Sequence, residues 1–323
     1  MFEQLTGSGL LLHHWDTDGI CSARLLLEHL QMKNVVNKTP ELGNYYLTTE
    51  ELERYQHYDF MIIVDMAIPE DQVKVLARTT EVMIFDHHLQ NIIPGILHHN
   101  PISQEKSNEE YPSASWIVNQ YMRKDINLYA LLGIVGDHEQ RILKNTIFSP
   151  LISDFCNQYH LTFQDLLQMV YLLDSNYKVG DRTTVEKAPH LLLQHSDVRY
   201  ILGNRTWKKN LTLLEKEITT YVQMPGEEKD GIMVKWIQTS YNIISTVTRR
   251  IAWEQKKDVV VVNTGFFKDK DQLYVRSTKN LQPLINQGRS KGLRCGGKTE
   301  VMGAVVPKER TEEFLQEILR FLQ

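Results

Sequence analysis

Residues 10–19 have the sequence LLLHHWDTDG, in which a short apolar run ends just before a cluster of acidic and imidazole side chains. The same order recurs twice, because MIIV (61–64) precedes Asp65 and VMIF (82–85) precedes Asp86-His87-His88. Short apolar runs of this kind are typical of strands that are buried on both faces of a parallel sheet. Parallel strands end at one edge of their sheet, so these acids and imidazoles are predicted to meet there.

The surrounding pattern alternates strands with helices, which predicts an α/β fold with a parallel sheet. Apolar residues at helical spacing indicate a helix near 19–32, and Pro69 indicates the start of a shorter one. Further helices are predicted at 113–123 and 127–136. The second of these delivers Asp137, within Gly136-Asp137-His138, from its C-terminal end.

A second, smaller α/β pattern begins at Gly231 and ends in an amphipathic helix. Its predicted strands are 232–237, 258–264, 272–277 and 301–306, and its predicted helices include 242–255 and 280–287. We therefore expect a metal-binding domain at 1–190, a helical linker at 191–230 and a second α/β domain at 231–323. The metal site is expected in the cleft between the two domains.

The residue types in the four clusters indicate metal chemistry. Carboxylates and imidazoles suit Mn²⁺, Mg²⁺, Zn²⁺ or Fe²⁺, and the lack of cysteine argues against a closed structural zinc site. Two divalent ions that share a carboxylate, roughly 3.5–4 Å apart, suit displacement at phosphorus. By contrast, His13, His98 and His99 are interpreted as structural or solvent-exposed, and His13 is expected on the opposite strand face. The clusters together predict a dinuclear site that hydrolyses a phosphate ester or anhydride.

The four clusters resemble the motifs of the DHH phosphoesterases, a family named for the triplet present here as Asp86-His87-His88. The first cluster has the form His-x-Asp-x-Asp-Gly, which is similar to the RecJ-type branch of that family. The longer His-x-x-x-Asp-x-Asp spacing of manganese pyrophosphatases and small-substrate relatives is absent. The resemblance implies two bound divalent ions, with Mn²⁺ favoured over Mg²⁺.

The resemblance also assigns roles to individual residues. It implies that His14 and Asp16 hold one ion, that Asp18, His87 and Asp137 hold the other, and that Asp65 bridges them. It further implies that His88 faces the substrate phosphate and that Asp86 orients the neighbouring imidazole. Asp65, His88 and Asp86 are thus the expected catalytic residues.

A glycine-containing segment in the second pattern resembles the substrate-binding loop of the DHH-associated C-terminal domain. That loop has a glycine triplet, a histidine, two small residues and a glycine, whereas residues 294–304 here are RCGGKTEVMGA. Cys295 replaces the first glycine, Lys298 replaces the histidine and Val301-Met302 enlarge a place usually kept small. Glycines let backbone N–H groups approach a phosphate closely. The expected substrate contacts are Arg294, Gly296, Gly297 and Lys298, together with Arg276, for which a surface salt bridge is the alternative.

Charge divides unevenly along the chain. Residues 231–323 carry 16 Lys and Arg against 9 Asp and Glu, a net charge of +7, whereas residues 1–230 carry 20 against 31, or −11. A basic domain beside an acidic, metal-loaded one suits a polyanionic substrate. Single-strand channels also use aromatic platforms. The aromatic candidates for such stacking, which are alternatively core residues, are Trp15, Tyr111, Trp116, Phe266 and Phe267.

Cysteine usage and hydropathy bear on location. Cys21, Cys156 and Cys295 are far apart and lack metal-binding spacing, which predicts free buried thiols in a reducing compartment. The N-terminus lacks a basic region, and no apolar stretch approaches the length of a membrane span. A cytoplasmic protein without a membrane partner is therefore expected.

Three functions remain open from the sequence. The first is an exonuclease that releases mononucleotides from single-stranded DNA, RNA or short oligonucleotides. The second is a phosphoesterase for a cyclic dinucleotide, a dinucleotide or 3′-phosphoadenosine 5′-phosphate, which stays close behind the first because the added nucleic-acid-binding domains of the largest RecJ-type enzymes are not expected. The third is a non-catalytic replication scaffold, which is disfavoured because buried carboxylates without ions are costly. A replication or repair partner and a homodimer are left open.

Overall fold

The computed structural model describes residues 2–30, 34–44 and 46–323, apart from the side chains of Glu3 and Lys298. Its helices are α1 (Thr17–His29), α2 (Thr49–Tyr55), α3 (Glu70–Leu76), α4 (Ala114–Tyr121), α5 (Leu128–His138), α6 (Phe148–Tyr159), α7 (Phe163–Lys178), α8 (Arg182–Leu193), α9 (Tyr200–Gly203), α10 (Arg205–Gln223), α11 (Ile244–Gln255), α12 (Gln282–Ser290) and α13 (Thr311–Leu322). Its strands are β1 (Ser8–His13), β2 (Asn34–Lys38), β3 (Phe60–Val64), β4 (Glu81–Phe85), β5 (Leu97–His99), β6 (Glu227–Lys229), β7 (Ile232–Ile237), β8 (Val259–Asn263), β9 (Lys270–Arg276), β10 (Arg294–Lys298) and β11 (Val301–Pro307).

The first sheet has the order β2-β1-β3-β4-β5, and all of its strands are parallel. The central strand β3 is buried along its whole length, because both faces of the sheet are covered. Leu10 and Leu12 alternate with Leu11, so the first two pack with Met61 and Ile63 on one face. The predicted α/β class and parallel N-terminal sheet are confirmed.

The two edge strands of this sheet were not predicted, and neither were β6 and β10 at the edges of the second sheet. β2 is mostly exposed or half-buried, and β5 is only three residues long. Edge positions need fewer apolar residues, so neither segment carries the continuous apolar run that identified the three central strands. Both edges nevertheless matter to the site, because β5 pairs with the strand that precedes Asp86-His87-His88.

The second sheet has the order β10-β11-β9-β8-β7-β6, in which β7 and β8 are parallel and the other neighbours are antiparallel. Its two faces are covered by different helices. Phe314 and Ile318 of α13 are buried in the core of one face, so these two residues of the terminal helix are core residues. Val247 and Ile251 of α11 are buried in the core of the other.

The chain divides into two compact units. The first comprises Met1–Tyr177 and Asp181–Asn210, and the second comprises Lys178–Gly180 and Leu211–Gln323. Residues 191–230, expected as a helical linker, contain α9, α10 and β6. The predicted domain ranges of 1–190, 191–230 and 231–323, their roles and the cleft between them stay predictions.

Two expectations about thiols and membranes can be compared with the structure. Cys21, Cys156 and Cys295 are free and buried, as expected. Among the helices that the structure describes, none combines the length and apolar character needed to cross a membrane.

Candidate metal centre

The first cluster lies between β1 and α1. Asp16 caps α1 by accepting the Gly19 N–H at 3.1 Å, and its Oδ2 is 2.8 Å from Nδ1 of His14. A Cβ atom at position 19 would lie 2.3 Å from the His14 carbonyl oxygen. A glycine is required there, because the first turn of α1 packs directly on the backbone that presents His14.

Asp18 lies in the first turn of α1 and is fixed by the start of another helix. Its two carboxylate oxygens accept the backbone N–H groups of Ala114 at 2.7 Å and Ser115 at 2.9 Å. These N–H groups belong to the first turn of α4, where a negative charge is favoured. A Cβ atom at Gly133 of α5 would lie 2.1 Å from Asp18 Oδ1. The side chain of Asp18 is therefore held between two helices.

Asp65 follows β3 directly and occupies the centre of the site. Its backbone has a φ of +60°, a left-handed conformation that non-glycine residues adopt at a cost. Its Oδ2 is 3.6 Å from Nδ1 of His14, whereas its Oδ1 is 3.5 Å from Nε2 of His87. Oδ2 is buried and has no hydrogen-bond partner among the described residues. The two oxygens of this one carboxylate thus face two different imidazoles.

The six predicted ligands, together with His88, form three groups of three residues that could each hold an ion. Nε2 of His87 is 3.2 Å from Oδ2 of Asp137 and 4.0 Å from Oδ2 of Asp18. In each group, one potential ligand atom per residue lies within 4.8 Å of the others. The first group is His14, Asp16 and Asp65, the second is Asp18, His87 and Asp137, and the third is Asp65, His87 and His88. The structure therefore brings together all six residues predicted as metal ligands.

The charges in this cluster favour bound cations. Burial, followed by the charges of Asp18, Asp16 and Asp137, holds the pKa of Asp65 well above its usual value. Burial and the charge of Asp16 raise the pKa of Asp18 to about 6. Burial opposes the ionisation of Asp16 too, but the charge and hydrogen bond of His14 hold its pKa below the usual value. Four carboxylates and two imidazoles at these distances suit divalent cations, whose charge would offset the repulsion between the acids.

The carboxylate of Asp86 contacts the imidazole of His88. It is fully buried, and its Oδ1 is 2.8 Å from Nδ1 of His88 while its Oδ2 accepts a hydrogen bond from Nε2 of Gln90 at 2.7 Å. Burial opposes ionisation, but the charge and hydrogen bond of His88 lower the pKa of Asp86. The side chain of His88 is 45% exposed and that of His87 only 11%. The contact of His88 with substrate stays a prediction.

Three residues that sequence reasoning missed close a ring of hydrogen bonds around this pair. Asn100 donates to the His88 carbonyl at 2.8 Å and accepts the Ser103 N–H at 3.2 Å. The hydroxyl of Ser103 donates to the Gln90 carbonyl at 2.5 Å. The ring runs from Asp86 through His88, Asn100, Ser103 and Gln90 back to Asp86. The sequence offered one signal, Asn100-Pro101, which indicates only a loop.

His13 and His98 make hydrogen bonds within the fold and belong to none of the three candidate metal-binding groups. His13 is buried, its Nδ1 lies 2.5 Å from the His14 carbonyl and its Nε2 lies 3.1 Å from Nδ2 of Asn37. Burial lowers the pKa of His13 to about 4. Nδ1 of His98 accepts the Ile93 N–H at 3.0 Å. Both act as packing and hydrogen-bonding residues of the fold.

The proposed aromatic platforms are partly wrong. Trp15 and Trp116 are only 3% and 8% exposed, so neither can stack on a nucleic-acid base. Phe266 and Phe267 are half-buried and form an edge-to-face pair with ring centroids 4.7 Å apart. Burying a large aromatic ring stabilises the fold, which favours a core position for both tryptophans. The sequence pattern alone does not distinguish a core ring from a surface ring.

The glycine-containing segment forms the β10–β11 hairpin of the second unit. Gly296 pairs with Gly303, and a Cβ atom at Gly297 would lie 2.0 Å from the Val301 carbonyl oxygen. Arg276, at the end of β9, pairs with Val301. The side chain of Lys298 lies outside the part of the chain that the structure describes. Contacts of Arg276, Arg294, Gly296, Gly297 and Lys298 with substrate stay predictions.

Two departures from the expected loop pattern have a structural reason. Cys295 and Met302 belong to the core cluster on the α13 face of the sheet. Burial raises the pKa of Cys295 to about 11. Because successive residues of a strand face opposite sides, neither side chain enters the face that carries Gly296 and Gly303.

Residues 10–148 match the family model for the DHH family, N-terminal domain. This segment is a DHH domain. It contains all six predicted metal ligands together with Asp86 and His88. No curated protein matches the chain.

Solved structures are similar to this chain over both the DHH domain and the second sheet. The chain is similar to RecJ from Thermus thermophilus in complex with Mn²⁺, with 18% identity, a TM-score of 0.70, and 98% of this chain and 52% of that chain covered. It is also similar to an exonuclease RecJ bound to manganese, with 17% identity, a TM-score of 0.65, and 98% and 90% covered. The pGpG-specific phosphodiesterase PggH from Vibrio cholerae matches with 13% identity, a TM-score of 0.50 and 98% of each chain covered. The chain spans about half the length of the Thermus protein. At these identities the likeness establishes the two-sheet fold.

Proposed function

We propose that this protein is a metal-dependent phosphodiesterase whose DHH domain holds two divalent ions, with Mn²⁺ preferred and Mg²⁺ as the alternative. The observation that carries the proposal is the position of Asp65, whose two carboxylate oxygens face two separate sets of ligands. His14 and Asp16 would hold one ion with it, and Asp18, His87 and Asp137 would hold the other. When bound, such a pair supplies Lewis acidity and a nucleophile at neutral pH.

The residues around the centre orient the substrate. Asp86 engages Nδ1 of His88, so the opposite ring nitrogen, Nε2, points away from that carboxylate. A protonated imidazole would donate through Nε2 to a phosphate oxygen, and Asp86 holds the ring in that orientation. His88 thereby stabilises charge that develops on a non-bridging oxygen. The left-handed backbone of Asp65 fixes the bridging carboxylate in place.

The substrate class proposed first is single-stranded DNA, RNA or short oligonucleotides, from whose ends the enzyme releases mononucleotides. The net charge of +7 on residues 231–323 supports a polyanionic substrate. The RecJ structures of the same fold include one named as an exonuclease, and that activity is carried to this chain as part of the proposal.

A dinucleotide or other small nucleotide is the second candidate substrate. The observation that favours it is the match to PggH, which is named as a pGpG-specific phosphodiesterase and is covered over 98% of its length. The metal centre and its chemistry are the same in both candidates. The difference lies in how many nucleotides beyond the scissile phosphate contribute to binding.

A time course with Mn²⁺ and with Mg²⁺ tests the proposal. The substrates are single-stranded DNA and RNA oligomers of two to about twenty-five nucleotides, labelled at either end, with a cyclic dinucleotide and 3′-phosphoadenosine 5′-phosphate alongside. Progressive shortening of the longer oligomers supports the exonuclease, and cleavage confined to small nucleotides supports the second candidate. Absence of cleavage of every substrate, with no metal retained after Mn²⁺ loading, would leave only the scaffold.

A further inference from the structure

A solvent-exposed tryptophan lies on α11 of the second unit. Trp253 is 60% exposed, whereas Ile244, Val247 and Ile251 of the same helix are buried against the sheet. Large aromatic side chains are usually buried, so an exposed indole ring on an ordered helix is a candidate contact for a ligand. Sequence reasoning did not select this residue.

Two arginines surround the ring. The guanidinium carbon of Arg249, one turn earlier on α11, is 5.3 Å from the centroid of the Trp253 ring. The guanidinium carbon of Arg276, at the end of β9, is 5.8 Å from the same centroid. These distances allow cation–π attraction and bring two positive charges to one aromatic surface.

Tyr274 lies on the same face of the sheet as this cluster and packs with the α11-side core. Burial raises its pKa, and the charges of Arg276 and Arg249 oppose that rise. Tyr274 and Arg276 are two residues apart on β9 and therefore face the same side of the sheet as α11.

Two glycines adjoin this cluster on the same face of the sheet. Tyr274 pairs with Gly303, and Gly303 pairs with Gly296, so two glycines continue the same face across β11 and β10. A Cβ atom at Gly303 would touch the Tyr274 ring at 3.5 Å. A Cβ atom at Gly296 would meet no atom of the described residues within 4 Å. The two glycines therefore leave backbone surface open beside Tyr274 and the two arginines.

We propose that Arg249, Trp253 and Arg276, named here the α11 platform, bind single-stranded nucleic acid. Trp253 stacks on a nucleobase, and the two arginines hold the phosphates that flank it. Positive charge combined with an exposed aromatic ring is the arrangement that binds single strands without sequence preference. The inference rests on the proposed function in taking a single-stranded nucleic acid as the substrate, and it adds Arg249 and Trp253 as binding residues outside the DHH domain.

The first test measures the affinity of the full chain for a labelled single-stranded decamer, with EDTA in place of divalent metal so that binding is observed without cleavage. Trp253→Ala should weaken binding about tenfold or more, and Trp253→Phe should keep most of the affinity, because stacking contributes at this scale and tolerates another aromatic ring. Arg249→Gln should also reduce the slope of log affinity against log salt by about 0.7, the value for one lost phosphate contact on a single strand.

Two variants in the same unit provide matched controls. Arg320→Gln makes the same charge change on α13, which packs against the opposite face of the sheet. Trp236→Ala removes another partly exposed tryptophan, on β7. Neither control should change oligonucleotide affinity by more than about twofold. Circular dichroism confirms that each variant is folded.

The outcomes separate this inference from the proposed function. Affinity of Trp253→Ala within twofold of the wild type would overturn the platform, and so would an equal loss in both controls. Hydrolysis of bis(p-nitrophenyl) phosphate by the wild type with Mn²⁺ tests the metal chemistry independently. If the wild type cleaves no phosphodiester but binds the decamer through Trp253, the proposed enzymatic function is wrong and the proposal for the α11 platform is supported.

Discussion

The metal centre of the DHH domain and the α11 platform of the second unit present chemistry in opposite ways. Asp18, Asp65 and Asp86 are buried; backbone N–H groups hold Asp18, and the His88 ring contacts Asp86. Trp253 is exposed, and its neighbours are long, rotatable arginine side chains. A buried charged cluster requires specific partners, so it leaves a motif in the sequence, whereas an exposed platform requires only a ring and nearby positive charge.

The largest expected effect comes from Asp65, the proposed bridging carboxylate. Asp65→Asn removes one charge from both ligand sets, and two-metal chemistry contributes several kcal/mol, so kcat should fall by at least about 10³-fold. Steady-state cleavage of an oligonucleotide, together with metal content after Mn²⁺ loading, measures this. Asp154→Asn, an exposed residue of α6, is the control and should keep full activity. Activity within tenfold of the wild type would contradict the assignment of Asp65.

The hydrogen-bonded ring behind His88 should matter next. Asn100→Ala removes the donor to the His88 carbonyl and the acceptor of the Ser103 N–H, and loss of such an orienting contact typically costs about 10–100-fold in activity. We expect kcat to fall while metal content is retained. The exposed Asn108 provides the control Asn108→Ala. Equal kinetics in the two variants would show that the ring does not position His88.

Gly133 tests how tightly the helices hold Asp18. A Cβ atom there would lie 2.0 Å from Ser115 Oγ and 2.1 Å from Asp18 Oδ1, so Gly133→Ala should destabilise the fold by about 1–3 kcal/mol through overpacking. Thermal unfolding with and without Mn²⁺ measures it. At Gly203, where a Cβ atom meets nothing within 4 Å among the described residues, the same substitution should not lower Tm. A Gly133→Ala variant as stable as the wild type would mean that α5 can move away from Asp18.

The smallest effect is expected on the core side of the β10–β11 hairpin. Cys295 packs in the α13-side core, so Cys295→Ala should lower the free energy of unfolding by about 1 kcal/mol, the scale for one small buried group. Oligonucleotide affinity should stay the same, because the side chain faces away from Gly296 and Gly303. A loss of affinity without a loss of stability would place Cys295 on the binding face and contradict its assignment to the core.

The sequence by itself determined the central strands, the DHH motifs and the six candidate ligands. An apolar run followed by acids or imidazoles predicts a site at the edge where parallel strands end, so the order of residues was enough to predict these features. It also indicated the second α/β pattern and the basic charge of residues 231–323. The meaning of Cys295 and Met302 could not be read this way, because their role depends on which face of a strand each occupies.

Only the tertiary structure decided which contacts join these pieces. The N–H groups that hold Asp18 come from residues about a hundred positions along the chain, and the Asn100 ring closes between the ends of two neighbouring strands. Trp15 and Trp116 became core, while Trp253 became surface, because packing against helices and sheets determines burial and composition does not. Local pattern specifies which residues are chemically capable; long-range packing specifies which of them face one another, and which face solvent.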